Sequence, residues 1–129
     1  MKNKFLKTLG ILLVTLIMVA PIAVDAASKS FSFEIKHQIA IGRYKSTKES
    51  VKATVNMSSW GGDNYFTIHI YEKGSFSSTL IDKLEFSKSK KGSPYEVETT
   101  KVKKGHTYGY EIWKNANGAK IKGSGTLSY

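Results

Sequence analysis

The chain has 129 residues, a length that predicts one domain, and its 20 Lys and Arg residues outnumber its 10 Asp and Glu residues. It contains no cysteine, which excludes a disulfide framework, a lipid-modified cysteine and a cysteine nucleophile. The positive charge favours an anionic partner, although a surface that is charged for solubility alone explains it equally well.

The first 26 residues have the features of a secretory signal peptide. A lysine-rich start is followed by an apolar run over residues 9–20 and then by Pro21. Val24, Asp25 and Ala26 fit the small-x-Ala cleavage rule, so we expect cleavage before Ala27. The apolar run is short for a membrane span, and an uncleaved N-terminal anchor is the alternative interpretation. Secretion without cysteine favours export by a Gram-positive bacterium, with the protein extracellular or associated with the cell wall.

The expected mature domain, residues 27–129, keeps most of the positive charge. The leader contains three of the 20 basic residues and one of the 10 acidic residues, which leaves 17 against 9 and a net charge of +8. Arg43 is the single arginine of the chain. Lysine is a hydrated point charge that suits diffuse attraction, for example to wall teichoic acids or anionic lipids outside a bacterial cell.

Residues 31–73 predict three strands with period-two alternation. The first covers residues 31–42 with a kink near His37, the second residues 51–57, and the third residues 64–73. The third strand carries an unusual outer face of two tyrosines and a histidine. The side chains predicted to face inward are Phe31, Phe33, Ile35, Ile39, Ile41, Val51, Ala53, Val55, Met57, Phe66, Ile68 and Ile70.

Residues 79–129 predict four more strands. The fourth, residues 79–86, alternates irregularly, which indicates a bulge or an edge position. The fifth begins after Pro94, typical of a strand start or an edge, and Asn117-Gly118 predicts a hairpin between the sixth and seventh strands. The side chains predicted to face inward are Leu80, Leu84, Phe86, Tyr95, Val97, Thr99, Tyr108, Tyr110, Ile112, Ile121 and Leu127.

Seven evenly spaced strands and no helical periodicity predict an all-β fold of two packed antiparallel sheets. This pattern resembles an immunoglobulin or fibronectin type III sandwich. The stretch from Gly105 to Tyr108 resembles the tyrosine corner of such folds, which implies a hydrogen bond from Tyr108 to the backbone near residues 102–104. The chain departs from the resemblance by lacking a cysteine pair and a core tryptophan on its third strand.

An immunoglobulin-like order would make the third, sixth and seventh strands neighbours and would gather their outward residues on one face. Aromatic rings can pack against the C–H faces of a sugar while polar neighbours bind its hydroxyls. Gly109 would leave a shallow place between larger side chains. The alternative is that tyrosine is simply a favourable strand residue. The predicted ligand-binding residues are Trp60, Tyr65, His69, Tyr71, Glu111, Trp113, Lys120 and Lys122.

No set of residues predicts catalysis, a metal site or a cofactor. His37, His69 and His106 are far apart in the sequence, and no metal-ligand or nucleophile motif surrounds them. His37 has inward parity and is more typical of a core histidine. The loop lysines are typical of solvated loops, with attraction of an anionic polymer as the alternative. No aromatic-interleaved motif indicates nucleic-acid binding.

The sequence therefore predicts a secreted, monomeric, non-enzymatic protein that binds a cell-envelope glycan or an anionic wall polymer. One alternative is a secreted antibacterial protein that acts on anionic membranes. A third possibility is an extracellular inhibitor or matrix component that binds a protein through loops such as residues 58–64.

Overall fold

The computed structural model describes residues 27–129, and the predicted signal peptide lies outside this range. The described chain forms eight β-strands, one more than the sequence pattern predicts. They are β1 (Ser28–Ile35), β2 (Gln38–Lys45), β3 (Val51–Ser59), β4 (Tyr65–Lys73), β5 (Ser78–Ser87), β6 (Tyr95–Thr99), β7 (Thr107–Trp113) and β8 (Ile121–Ser128).

The strands form two antiparallel sheets of four, with the orders β1-β8-β3-β6 and β2-β7-β4-β5. Among the described strands, only β4 and β5 are consecutive within one sheet, and every other connection crosses to the opposite sheet. This is the strand order of an eight-stranded jelly roll. An immunoglobulin order would place the last strand beside β7, whereas here β8 lies between β1 and β3. The resemblance therefore holds for a two-sheet antiparallel sandwich and not for the strand order.

The predicted long first strand is two strands in different sheets. It breaks at Lys36 and His37, where His37 Nδ1 lies 2.8 Å from the Lys114 carbonyl and the Lys114 amide donates to the His37 carbonyl. Ile35 on β1 is buried, whereas Ile39 on β2 is 42% exposed because β2 is an edge strand of its sheet. Ile39 pairs with the buried Ile112 and so lies on the inner side of its sheet, as predicted, whereas the prediction of a core histidine is wrong, since His37 is exposed at the bend.

The core lies between the sheets and contains the inward residues of both. Across the interface the ring of Phe33 on β1 lies 5.8 Å from that of Phe66 on β4, centroid to centroid. The predicted alternation is confirmed along β3, β4 and β7. The fully buried side chains there and on β5 and β8 include Val51, Val55, Phe66, Ile68, Ile70, Leu84, Phe86, Tyr108, Tyr110, Ile112, Ile121 and Leu127.

Both explanations for the irregular fourth predicted strand are confirmed. In the pairing of β4 with β5, Ile70 faces Asp82 and Tyr71 faces Leu80, so Ile81 is the extra residue of a β-bulge. The strand also lies at the edge of its sheet, as does β6, which begins directly after Pro94. The bulge leaves Leu80 42% exposed on the outer side of the sheet.

Tyr108 makes the predicted tyrosine-corner contact. Its ring is buried at the start of β7, and its hydroxyl oxygen accepts a hydrogen bond from the Lys103 amide at 2.9 Å. Two further backbone hydrogen bonds fasten the same corner, from Gly105 N to the Ser46 carbonyl and from Ser46 N to the His106 carbonyl. The corner therefore fixes the entry of β7, which carries part of the candidate site.

Replacing Tyr108 by Phe should lower the free energy of unfolding by about 1–3 kcal/mol, because the Lys103 amide loses its partner in a partly buried place. Urea unfolding measures the change. Tyr44→Phe serves as a control, because the Tyr44 hydroxyl has only a long contact, 3.3 Å, with the Ile41 carbonyl. Equal stability of the two variants would show that the corner hydrogen bond does not stabilise the fold.

A buried lysine organises the connection between β7 and β8. The Lys114 side chain is fully inaccessible, and its Nζ lies within 3.1 Å of five oxygens. Because these oxygens belong to the β1–β2 bend, the turn before β4 and the β7–β8 connection, one ammonium joins three segments. Asn117 and Gly118 lie in the β7–β8 connection, which crosses from one sheet to the other. The prediction of a hairpin there is wrong. The five atoms are the carbonyl oxygens of Lys36, Asn115 and Ala119, Asn117 Oδ1 and Asp63 Oδ2.

Candidate binding face

The outer face of the β2-β7-β4-β5 sheet carries the strongest candidate site. Because Tyr110 and Ile112 point into the core, the alternate residues of β7 face outward. The register places Trp113 opposite Thr67, Glu111 opposite His69, and Gly109 opposite Tyr71. The predicted third and sixth strands are thus neighbours, as expected.

Four rings on this face touch one another in a line. The Trp113 and His69 rings are stacked with centroids 5.0 Å apart and planes 11° apart. His69 also meets Tyr71, at 5.9 Å between centroids, with His69 Nδ1 3.0 Å from the Tyr71 hydroxyl. His37 packs edge-on against Trp113 at 5.2 Å and extends the line. We call His37, Trp113, His69 and Tyr71 the ring line.

The surroundings favour the uncharged forms of His69 and Tyr71. Burial lowers the pKa of His69 below its usual value, and the positive charge of Lys83 lowers it further, while Glu111 opposes both. Burial and the negative charge of Glu111 raise the pKa of Tyr71. His69 is therefore a neutral ring near pH 7, well suited to stacking.

Tyr65 lies on the same face but separate from the ring line. It is 41% exposed, and its hydroxyl donates a hydrogen bond of 2.8 Å to Glu85 on the neighbouring β5. The buried Thr67 stands between Tyr65 and His69 along β4. Tyr65 could therefore enlarge the contact surface, but its ring is not part of the stacked ring line.

A groove of about 470 Å³ lies beside the ring line, where small residues meet on adjacent strands. Gly109 forms its floor, since nothing but Arg43 Cγ, at 3.7 Å, lies near the position that a Cβ would occupy there. The predicted shallow place at Gly109 is therefore present. The residues that line the groove are Ala40, Gly42, Arg43, Tyr71, Lys73, Ser78, Gly109, Tyr110 and Glu111.

Two cations and one carboxylate line this groove without ion-pair partners. The ion pairs of residues 27–129 are Lys101–Asp82, His106–Glu72, Lys114–Asp63 and Lys120–Glu34, so Arg43, Lys73 and Glu111 belong to none of them. Glu111 is half-buried, and Arg43 and Lys73 are exposed. These charges are therefore available to a ligand.

Three of the predicted site residues lie elsewhere. Trp60 is only 9% exposed, and its ring packs on Phe66 at 5.6 Å and on Tyr95 at 5.5 Å, as part of the core. Lys120 lies just before β8 and Lys122 is the second residue of β8, in the opposite sheet. The immunoglobulin-like order had placed them beside β7, and the observed strand order removes them from the face.

The sequence pattern did not predict that Arg43 and Lys73 belong to the binding face. Arg43 lies just beyond the first predicted strand, in a segment that is polar and typical of a loop, and the alternation of that strand, if continued, would turn Arg43 inward in step with Ile39 and Ile41. A bulge between Ala40 and Gly42 shifts the register of β2 against β7 and turns Arg43 outward, opposite Gly109. In the sequence, the signal for this bulge is the glycine at position 42, whose φ is 152° in the structure.

No protein-family model matches the chain, and no curated protein sequence matches it. In residues 27–129 no three His, Asp or Glu side chains are grouped so that they could hold a metal ion. The same range has no helix long and apolar enough to cross a membrane. The features that bear on function are therefore those of the binding face itself.

Proposed function

We propose that the protein is a secreted, non-enzymatic β-sandwich that binds a cell-envelope glycan or an anionic wall polymer through the ring line and the adjacent groove. The observation that carries the proposal is the continuous contact of Trp113, His69 and Tyr71 on one outer sheet face. The signal-peptide features of residues 1–26 support export.

The ring line suits a sugar because its rings are already ordered before binding. Trp113 and Tyr71 are each held by a contact with His69, so little side-chain freedom remains to be lost when a ligand stacks on them. Glu111 lies opposite His69 and can accept hydrogen bonds from hydroxyl groups. A flat apolar surface with a polar neighbour is the arrangement that one face of a sugar ring requires.

Positive charge would add long-range attraction to an anionic wall. The +8 charge of residues 27–129 is carried mostly by exposed lysines. Exposed charges attract a polyanion over about 10 Å at 0.1 M salt, and the attraction weakens as salt rises. We therefore propose that the stacked rings recognise the ligand and that the lysines attract it to the protein.

Purified Gram-positive cell walls provide the test. The double variant with Trp113→Ala and Tyr71→Ala should bind walls about tenfold more weakly or worse, because two stacking rings are removed. The control is a double variant with Asn56→Ala and Ser124→Ala, since these two exposed residues face each other on the opposite sheet. Unchanged wall binding by the double variant would reject the stacking role.

One observation favours a membrane-acting protein as the second candidate. Phe76 stands fully exposed at the tip of the β4–β5 hairpin, close to Lys73, so that this tip could enter the interface of an anionic bilayer. Dye release from anionic vesicles, abolished by Phe76→Ala, would support it. The third alternative, binding of a protein through residues 58–64, has less support, because Trp60, the aromatic residue of that loop, is buried.

A further inference from the structure

Arg43, Gly109 and Tyr71 form one row across three neighbouring strands. Gly109 pairs with Arg43 of β2 on one side and with Tyr71 of β4 on the other. Two strand spacings separate the outer residues by about 10 Å, and the glycine between them adds no side chain. The groove is therefore open along its floor, with a guanidinium on one wall and a phenol ring on the other.

The two cations of the groove fit a phosphate better than a neutral sugar. Arg43 and Lys73 have no ion-pair partner among the described residues, and both line the same space. A guanidinium matches two oxygens of a phosphate with two parallel N–H donors, and an ammonium adds a point charge. A neutral sugar would use neither charge.

Glu111 restricts what can accompany the phosphate. It is two residues from Gly109 along β7, a distance of about 7 Å, and it is half-buried without an ion-pair partner. A second phosphate at that position would be repelled. A hydroxyl or an ammonium group would instead donate a hydrogen bond to the carboxylate.

We propose that the groove binds a phosphodiester-linked polyol or sugar chain, with Arg43 and Lys73 on a phosphate and Glu111 on a neighbouring hydroxyl or ammonium group. This inference rests on the proposed function, because it names the ligand class of the same face. It also assigns binding roles to Arg43 and Lys73 that the aromatic face alone does not require.

Calorimetric titration of the exported protein with a synthetic poly(glycerol phosphate) chain tests the inference. Arg43→Gln should weaken binding about tenfold at 0.15 M salt, because a bidentate charged contact is lost. The matched control is Lys122→Gln, which removes the same charge from the opposite sheet and should change affinity less than about twofold. Equal weakening by the two variants would overturn the inference, since it would show attraction by net charge alone.

Glu111→Gln provides a second arm with inorganic phosphate as the probe. Removal of the carboxylate should tighten the binding of inorganic phosphate, because the repulsion disappears, while binding of the polyol chain should not improve. An equal gain for both probes would contradict the assigned contact between Glu111 and the polyol.

Cell walls before and after chemical removal of their phosphate polymers separate this inference from the broader proposal. Loss of binding to the stripped walls supports a phosphodiester ligand. Equal binding to both walls, with Arg43→Gln unaffected, overturns the phosphate inference and leaves the glycan proposal standing. Failure to bind either wall rejects both.

Discussion

Replacing Lys114 by Met should lower the free energy of unfolding by about 3–5 kcal/mol, the range for breaking a buried ion pair from one side. Methionine matches the length of the lysine stem but has no ammonium group. The carboxylate of Asp63, which is only 12% exposed at its side chain, would keep its charge and lose its cation. Three backbone carbonyls would lose their donor as well.

Urea unfolding followed by tryptophan fluorescence measures this loss. Lys120→Met is the matched control: its ammonium lies 3.3 Å from Glu34 Oε1, both side chains are about half exposed, and its removal should change stability by less than about 1 kcal/mol. A loss below about 1 kcal/mol for Lys114→Met would show that the contacts between the ammonium and the five oxygens contribute little to the stability of the fold.

The effect of Lys114→Met should also depend on pH. The Asn117 amide and then the Lys114 ammonium hold the pKa of Asp63 below its usual value. A carboxyl whose pKa is lower in the folded state stabilises the fold above its unfolded pKa of about 3.9, and that contribution is lost as pH falls through the folded pKa. The stability difference between the wild type and Lys114→Met should therefore narrow in acid.

For most strands the sequence predicted which side chains face the core. Burial of one side of a strand gives its apolar residues a period of two, and this period is visible in a short stretch of sequence. Phe66, Ile68 and Ile70 are buried as predicted, and His69 and Tyr71 lie outside. The strand order was not predictable in this way. It involves contacts between segments that are distant in the sequence, such as those of Lys114 with Lys36 and Asp63, and such contacts give no periodic signal.

The strand order decides which residues complete the binding face. An immunoglobulin-like order would have brought Lys120 and Lys122 beside β7. The observed order puts β2 there, so the face receives Ala40 and Arg43 instead. Ala40 and Arg43 therefore occupy the place where two lysines were expected. The small side chain of Ala40 leaves space for a groove, and the cation that β2 adds to it is a planar guanidinium. The positions of Trp113, His69 and Tyr71 were predictable, whereas that of His37 was not, and the groove required the bulge in β2.

Filling the floor of the groove should separate binding from folding. Gly109→Val places a branched side chain where a Cβ would meet only Arg43 Cγ at 3.7 Å, an ordinary contact. Valine also favours strand geometry, so the free energy of unfolding should stay equal or rise slightly. Wall binding should fall at least about tenfold, about 1.4 kcal/mol, because the space beside Tyr71 is occupied.

The same wall-binding assay and urea unfolding, applied together, check the prediction. Ser124→Val is the matched control, because it adds a branched apolar side chain to an exposed position of β8 on the opposite sheet. Gly109→Ala should give an intermediate loss, since one methyl group fills less of the groove. Because neither change at Gly109 removes a ring or a charge, full wall binding by a folded Gly109→Val variant would place the ligand outside the groove and confine recognition to the ring line.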